Sequence, residues 1–345
     1  MDRQDRWITK RFGLRYFLGE VPLFQVNFRL ARLDAHFTEL PTVPDESRIR
    51  WEALPAGVDG VLYRSHPIEG EMVRLRRLKT AIRYAPIQCE HFYLSISGTF
   101  EQYLSRFSRK QRYNLKRQVT RFGEFCGPQG GLRWQRYQQP GELDEFYGLA
   151  RAVSARTYQE RLLNVGLPEG DDFRRQMREL AAAGEAAGYV LIHGQRPVAY
   201  IYCRARGRVL MLDFVGYDPD YAQWSPGAVL QYCMIEQLFA EGRFDMLDFG
   251  QGEAHYKRFY STHSVRCADI YYLRRTWRNW LLVGLHRAID CFGTAVGRRL
   301  QKAGLKDRIK KFLRGRQPSA AGNGAMARRD AASEDPAAEP AATRD

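Results

Sequence analysis

The sequence has no residue run long enough and sufficiently free of charge to cross a bilayer as a helix. Its first residues, Met1 to Arg6, lack the apolar stretch of a secretory signal. Both absences point to a cytoplasmic protein. No Cys-x-x-Cys pair occurs, and six cysteines (Cys89, Cys126, Cys203, Cys233, Cys267 and Cys291) are scattered, most of them in apolar runs. Neither a disulfide framework nor a zinc site is expected, and no metal is called for. From about Gln317 almost nothing remains to bury, so 317–345 reads as a disordered tail.

What is present is a chain of 345 residues, 44% hydrophobic and 13% aromatic, enough for two domains of ordinary size. The formal charge of +15 invites a nucleic-acid reading, so its placement matters. Residues 1–130 carry an excess of +8, 131–276 none, and 277–316 an excess of +9. The neutral middle separates the charge from the expected chemistry. Residues 101–121 alone hold seven basic groups against one Glu.

Between Thr99 and Gly123 apolar residues (Leu104, Phe107, Leu115, Val119, Phe122) recur at helical spacing opposite Arg109, Lys110, Lys116, Arg117 and Arg121, which predicts one amphipathic helix with Thr99 as N-cap. Upstream, 23–33, 60–63, 72–84 and 91–96 read as strands. Downstream, helices are predicted over 142–158 and 171–187. Strands follow at 189–193, 197–204 and 208–217, joined by turns short enough for hairpins. A helix over 225–241 stopped by Gly242, a strand over 244–249, a glycine turn, a short helix over 253–260 and a strand over 267–273 complete this half. Strand, helix, strand at this spacing predicts a parallel pair. Residues 276–313 read as a basic amphipathic helical segment.

The helix at 225 begins in an informative way. Ser225 is a favoured N-cap, Pro226 suits the first helical position, and Gly227 allows close approach to the backbone. Free amides at such an end form an anion site, although the same three residues also make a good helix start with no ligand.

The runs Val215 to Tyr221, Ser225-Pro226-Gly227, Leu247-Asp248-Phe249-Gly250 and Tyr256-Lys257 resemble the GNAT acetyltransferase superfamily. They are closest to its FemAB-like branch and to bacterial acetyltransferases linked to cellulose and exopolysaccharide synthesis. The segment Tyr93 to Ile96 with Phe100 to Arg121 resembles the helix joining the two halves of FemAB-like proteins. The resemblance implies an α/β (α+β) fold of tandem GNAT-like halves, with a mixed sheet holding a splayed parallel pair in the second half and a C-terminal helical segment. The implied domains are a degenerate N-terminal half over 1–130 ending in the basic linking helix, an acyl-CoA-binding domain over 131–276, and the basic segment 277–316.

By the same resemblance the backbone of Phe214, Val215 and Gly216 pairs with the pantetheine arm, and the amides of Trp224, Ser225, Gly227, Ala228 and Val229, around Pro226, hold the pyrophosphate. The sequence departs from the usual Gln or Arg, two residues, Gly-x-Gly or Ala pattern, having Gln223-Trp224-Ser225-Pro226-Gly227-Ala228. Amine acylation needs a base for an amine whose free pKa is about 10 and an acid for the departing thiolate. Tyr256 is the acid candidate, against a plain core tyrosine. Lys257 is the charge stabiliser, against a salt bridge. Asp248 and Glu253 compete as base, while a carboxylate supporting the Gly250 turn is an equal reading of Asp248. His255 and Asp213 stay ambiguous.

These readings make the protein an acyl-CoA-dependent, acetyl-CoA by expectation, N-acyltransferase acting on an amino group of a sugar, nucleotide sugar or other small metabolite, in polysaccharide or cell-envelope synthesis. The alternatives are aminoacyl transfer from charged tRNA, the one nucleic-acid partner considered, and a non-catalytic membrane-surface or assembly protein. For 277–316 a peripheral contact with anionic lipid at the inner membrane face stands against a plain helical appendage.

Overall fold

The structure is a computed structural model that describes residues 7–18, 21–42, 44, 46, 49, 51, 54, 56–127, 131–157 and 166–302. The tail and the end of the basic segment, including Ile309 and Phe312, lie outside the described residues, as does Tyr158. The chain divides into two units. One comprises 1–91, 251–254 and 265–345, and the other 92–250 and 255–264.

In the first unit, strands β1 (Trp7–Leu18) and β2 (Val21–Leu33) pair antiparallel along their full length. Phe12, Leu14 and Tyr16 alternate into the core, and Phe12 stands opposite Phe28, a cross-strand aromatic pair of the kind that fixes register. The second strand then runs parallel to β3 (Gly60–Pro67) over only three residues, Leu30–Arg32. Strand β4 (Leu75–Arg77) pairs with β5 (Ala81–Ser95), and the order is β1-β2-β3-β11-β5, with β11 spanning His263–Arg274. Neighbouring residues of these strands point to opposite faces, so the sheet has two cores. Leu30, Leu62, Tyr84 and Leu273 belong to one, and Ala31, Tyr63, Ile270 and Tyr272 to the other.

The second unit begins with helices α1 (Phe100–Ser105) and α2 (Arg109–Phe125). The single helix predicted over this stretch is therefore two. Thr99 is the expected N-cap and forms a capping box with Gln102, but Ser108 and Gln111 form a second one nine residues on, within the span predicted as one helix. Strand β6 (Arg133–Tyr137), α3 (Pro140–Ser154) and α4 (Asp171–Ala182) follow. The last of these ends before the predicted 187, because Gly184 adopts a left-handed φ of 69° and the chain turns into β7 (Ala186–His193). The meander of β7, β8 (Arg196–Arg206) and β9 (Val209–Tyr217) is as read from the turns. Then come α5 (Pro226–Glu241), β10 (Met246–Gln251) and α6 (His255–Tyr260).

Sheet order here is β5-β10-β9-β8-β7-β6, with only the end of β5 included. A core of Leu115, Phe122, Ile201, Leu210, Leu230 and Met234 seats α2 and α5 on one face. On the other, Leu143, Phe146, Met177, Val190 and Tyr202 seat α3 and α4. Gly188 permits this closeness, since a Cβ there would lie 2.4 Å from the Phe146 ring. The fold class is mixed α/β, with short parallel pairs β2–β3 and β9–β10 beside antiparallel ones.

Candidate active site

The site starts from a strand that loses its partner. The ninth strand is parallel to β10 over Val209–Met211 alone, while its antiparallel ladder with β8 continues to Tyr217. The ladder slips one residue between Tyr202 and Cys203, leaving Asp213 unopposed as a bulge that adds local twist. The Asp213 carboxylate is ion-paired with Arg204, a structural use for a residue whose role was open from sequence. Past the bulge, Phe214, Val215 and Gly216 present one backbone edge to β8 and have no register partner on the β10 side. Gly216 is required by packing, because a Cβ would fall 2.5 Å from the Tyr200 ring.

Beyond β9 the chain forms a 3-10 turn, Pro219–Trp224. Asp218 caps it, accepting from the Asp220 amide at 3.1 Å, and is itself held by Arg156 at 2.9 Å and Arg196 at 2.6 Å. Burial opposes ionisation of Asp218, but hydrogen bonds from Arg196 and Arg156 outweigh it and hold the carboxyl below its ordinary range.

Ser225 then sits at φ 51°, ψ 48°, left-handed and directly before a proline, two disfavoured circumstances together. It occupies the N-cap position of α5 as predicted, yet its side chain makes no capping bond, so the expected N-cap chemistry is absent. Strain of this kind gathers where a ligand site dictates backbone geometry. The Ser225 amide donates to Ala222 O, and those of Ala228 and Val229 both donate to Ser225 O at 3.0 and 3.1 Å. Pro226 has no N–H, so the Gly227 amide is the one at this helix start with no acceptor among the described residues. A Cβ on Gly227 would lie 3.5 Å from the Tyr217 ring, so the end of β9 and the start of α5 converge here.

Facing this turn is α2. Asn114, Arg117, Gln118 and Arg121 form one wall of a cavity of about 260 Å³, and Gln223, Trp224 and Ser225 form the other. The Trp224 ring stacks on Phe125 at 4.2 Å and carries the Arg121 guanidinium at 4.6 Å. Among the described residues neither Arg117 nor Arg121 is paired with a carboxylate. From the sequence both arginines fall on the basic side of an amphipathic helix, with no cavity expected there. The signal was available, since residues 114, 117, 118 and 121 follow the i, i+3, i+4, i+7 spacing of a single helix stripe.

The predicted chemistry residues lie in β10 and just after it. Asp248 is buried, and its Oδ1 accepts the Gly250 amide at 2.7 Å, the turn-supporting contact weighed from the sequence. Gly250 and Gly252 have φ of 75° and 107°, which only glycine adopts easily. Lys257 is buried too, with Nζ 3.7 Å from where a Gly250 Cβ would stand. Asp248, Gly250 and Lys257 are thus brought together. Tyr256 is half-buried, its ring edge-on to Phe249 at 6.5 Å, and His255 is exposed with its ring against Phe259. Glu253 is exposed and groups with the first unit.

A parallel pair opened after three residues, followed by a helix start, is the geometry on which the comparisons bear. Residues 109–258 match the family model described as an acetyltransferase (GNAT) domain. A search of curated proteins finds no match. Among solved structures, FemX is 11% identical over 80% of this chain and 90% of its own, with a TM-score of 0.48. The C-terminal domain of a putative lysylphosphatidylglycerol synthetase from Agrobacterium fabrum is 12% identical over 83% and 93%, with a TM-score of 0.46. A conserved protein of unknown function from Bacteroides thetaiotaomicron VPI-5482 is 10% identical with a TM-score of 0.41. That likeness covers 57% of this chain and 63% of the other, less than two thirds of its length.

Proposed function

We propose that the protein transfers an acyl group, acetyl in the simplest case, from acyl-CoA to an amino group of a sugar, nucleotide sugar or other small metabolite, in polysaccharide or cell-envelope synthesis. The observation that carries the donor is the cavity between α2 and the start of α5, which joins two arginines without a carboxylate partner among the described residues to a strained turn and an open amide. A pyrophosphate there takes the Gly227 N–H and the Ser225 hydroxyl, with Arg117 and Arg121 supplying charge-assisted hydrogen bonds, each worth about 1.5–3 kcal/mol. The backbone edge of Phe214, Val215 and Gly216 pairs with the pantetheine arm, as a strand would.

In the transfer the amine nitrogen attacks the thioester carbonyl, the C–S bond breaks, and one proton leaves nitrogen while sulfur gains one. Tyr256 is the proton donor to sulfur. Lys257 stabilises the developing negative charge in a buried setting, where such an interaction counts for more than in water. Asp248 or Glu253 removes the amine proton, directly or through water.

Titration calorimetry with acetyl-CoA tests the donor. Binding that Gly227→Asp abolishes supports the reading, and no binding to the parent protein refutes it. A second reading is favoured by the exposed Arg109, Lys110 and Lys116 of α2, a surface suited to a polyanion. Under it the acyl group is an aminoacyl carried on tRNA. Transfer that requires charged tRNA and ignores acyl-CoA reverses the order of the two readings.

A further inference from the structure

Helix α7 (Trp277–Lys302) is attached to the first unit by one face and leaves the other bare. The attached face is specific. Tyr16 donates to Leu282 O at 3.0 Å, His286 Nε2 meets Arg15 O at 3.1 Å, and its Nδ1 meets the Tyr84 hydroxyl at 2.6 Å. Val283 is fully buried in the same core as Phe12 and Leu30.

The opposite face has the wrong chemistry for water. Trp277 is 81% exposed, Leu281 61%, Leu285 41% and Phe292 60%. At 100° per residue these four positions fall within roughly 80° of helix circumference. Gly284, Ala288 and Cys291 fill the gaps, so the outward arc carries no charge from 277 to 292. The edges of the arc are basic, with Arg278, ion-paired with Asp59 at 3.3 Å, on one side and the exposed Arg287 on the other. The one acid of α7, Asp290, points away from the arc and is ion-paired with Arg74 at 2.7 Å. Over its length the helix has five basic residues and one acidic. Large exposed apolar side chains also mark the hairpin against which α7 packs, at Leu18, Leu23 and Phe24, and the Phe24 ring stacks on Tyr16 at 4.3 Å.

No helix among the described residues is long and apolar enough to cross a membrane. An apolar arc bordered by arginines instead suits a helix lying in the plane of a lipid surface, with indole and aliphatic groups at acyl-chain depth and guanidinium groups among the phosphates. A second copy of the chain is the weaker match, because mating two such faces would bring arginine edges of like sign together. We propose that α7 docks the protein on an anionic bilayer, with Trp277, Leu281, Leu285 and Phe292 inserted and Arg287 against lipid phosphate. The inference stands independently of the acyl donor and acceptor.

The test is co-sedimentation of the full chain with phosphatidylcholine vesicles, with and without about 30% phosphatidylglycerol. Binding at least about tenfold stronger to the anionic vesicles, weakened by added salt, is expected. Leu281→Glu with Phe292→Glu should lose it, and Arg287→Glu should reduce it while keeping the apolar arc. Circular dichroism and donor binding of each variant confirm that it is folded. Equal pelleting of parent and double variant, no pelleting of either, or a dimer in light scattering that the double variant dissolves would each overturn the proposal.

Discussion

The two units repeat one strand pattern and differ in what fills its gap. In each, a long antiparallel pair leads into a parallel partner held for three residues, Leu30–Arg32 with Gly60–Leu62 in the first and Val209–Met211 with Met246–Asp248 in the second. Between the parallel strands the second unit places α5, with its strained start and arginine-lined cavity. Between β2 and β3 the described residues of the first unit include a 3-10 turn, Phe37–Glu39, capped by His36. A short turn aligns few amides and has almost no dipole to offer an anion. Under the proposed function the shared pattern is scaffold, and the crossover would decide which copy takes a ligand.

The largest test of this contrast is at Gly227. The site has room for a Cβ, so Gly227→Ala should bind acetyl-CoA within about threefold of the parent, whereas Gly227→Asp should lose about 100-fold or more, roughly 2.7 kcal/mol, in calorimetry. If alanine is as damaging as aspartate, shape and not charge governs the helix start. Next, Arg117→Glu with Arg121→Glu should weaken donor binding by about 10- to 100-fold with the melting temperature nearly unchanged. Arg11→Glu, an exposed arginine of β1 in the other unit, should leave it within about twofold. An equal loss from both changes would mean that overall charge draws the donor.

Lys257→Met should lower kcat by about tenfold with little change in the donor KM, read in steady-state assays, if the buried ammonium acts on developing charge. A fall in melting temperature with kcat intact would assign it to the Gly250 turn alone. The smallest effect concerns acid. Burial lowers the His66 and His286 pKa values below the ordinary 6.5, despite hydrogen bonds to Pro67 O and Arg15 O. The unfolded chain therefore binds more protons than the folded one below that value, and stability falls as pH drops from about 7 to 5. His286 Nε2 must carry its proton, since Arg15 O can only accept, so protonating Nδ1 would break the bond from Tyr84. Segment-resolved hydrogen exchange should show β1, β2 and α7 loosening before β7 to β9.

Much of the second unit was legible because its signals are local. Pro226 opens α5 and Gly242 closes it at φ 59°, as composition suggested, and strand, helix, strand gave the parallel pair. The first unit was harder. Lys10, Arg11 and Arg15 interrupt the apolar pattern of β1, so a 12-residue strand escaped notice until its pairing with β2 was seen. The sequence singles out Asp248 and Lys257, which the fold brings together, but not the arginine wall, because its partner Trp224 lies 103 positions from Arg121. Ser225 was read as an ordinary cap. Its left-handed conformation depends on the turn anchored by Asp218, Arg156 and Arg196, which local propensity does not encode.

The opening between β9 and β10 has a further consequence. A sheet normally hides its bare edge at the rim, with charge or a covering loop to prevent mispairing. Here the amides of β9 that point away from β8, between Leu212 and Tyr217, are unladdered although they lie in the interior of the strand order. A donor arm seated there would serve as a surrogate strand, so these few amides should exchange quickly in the empty protein and slowly in the loaded one. They make the sheet its own gauge of occupancy.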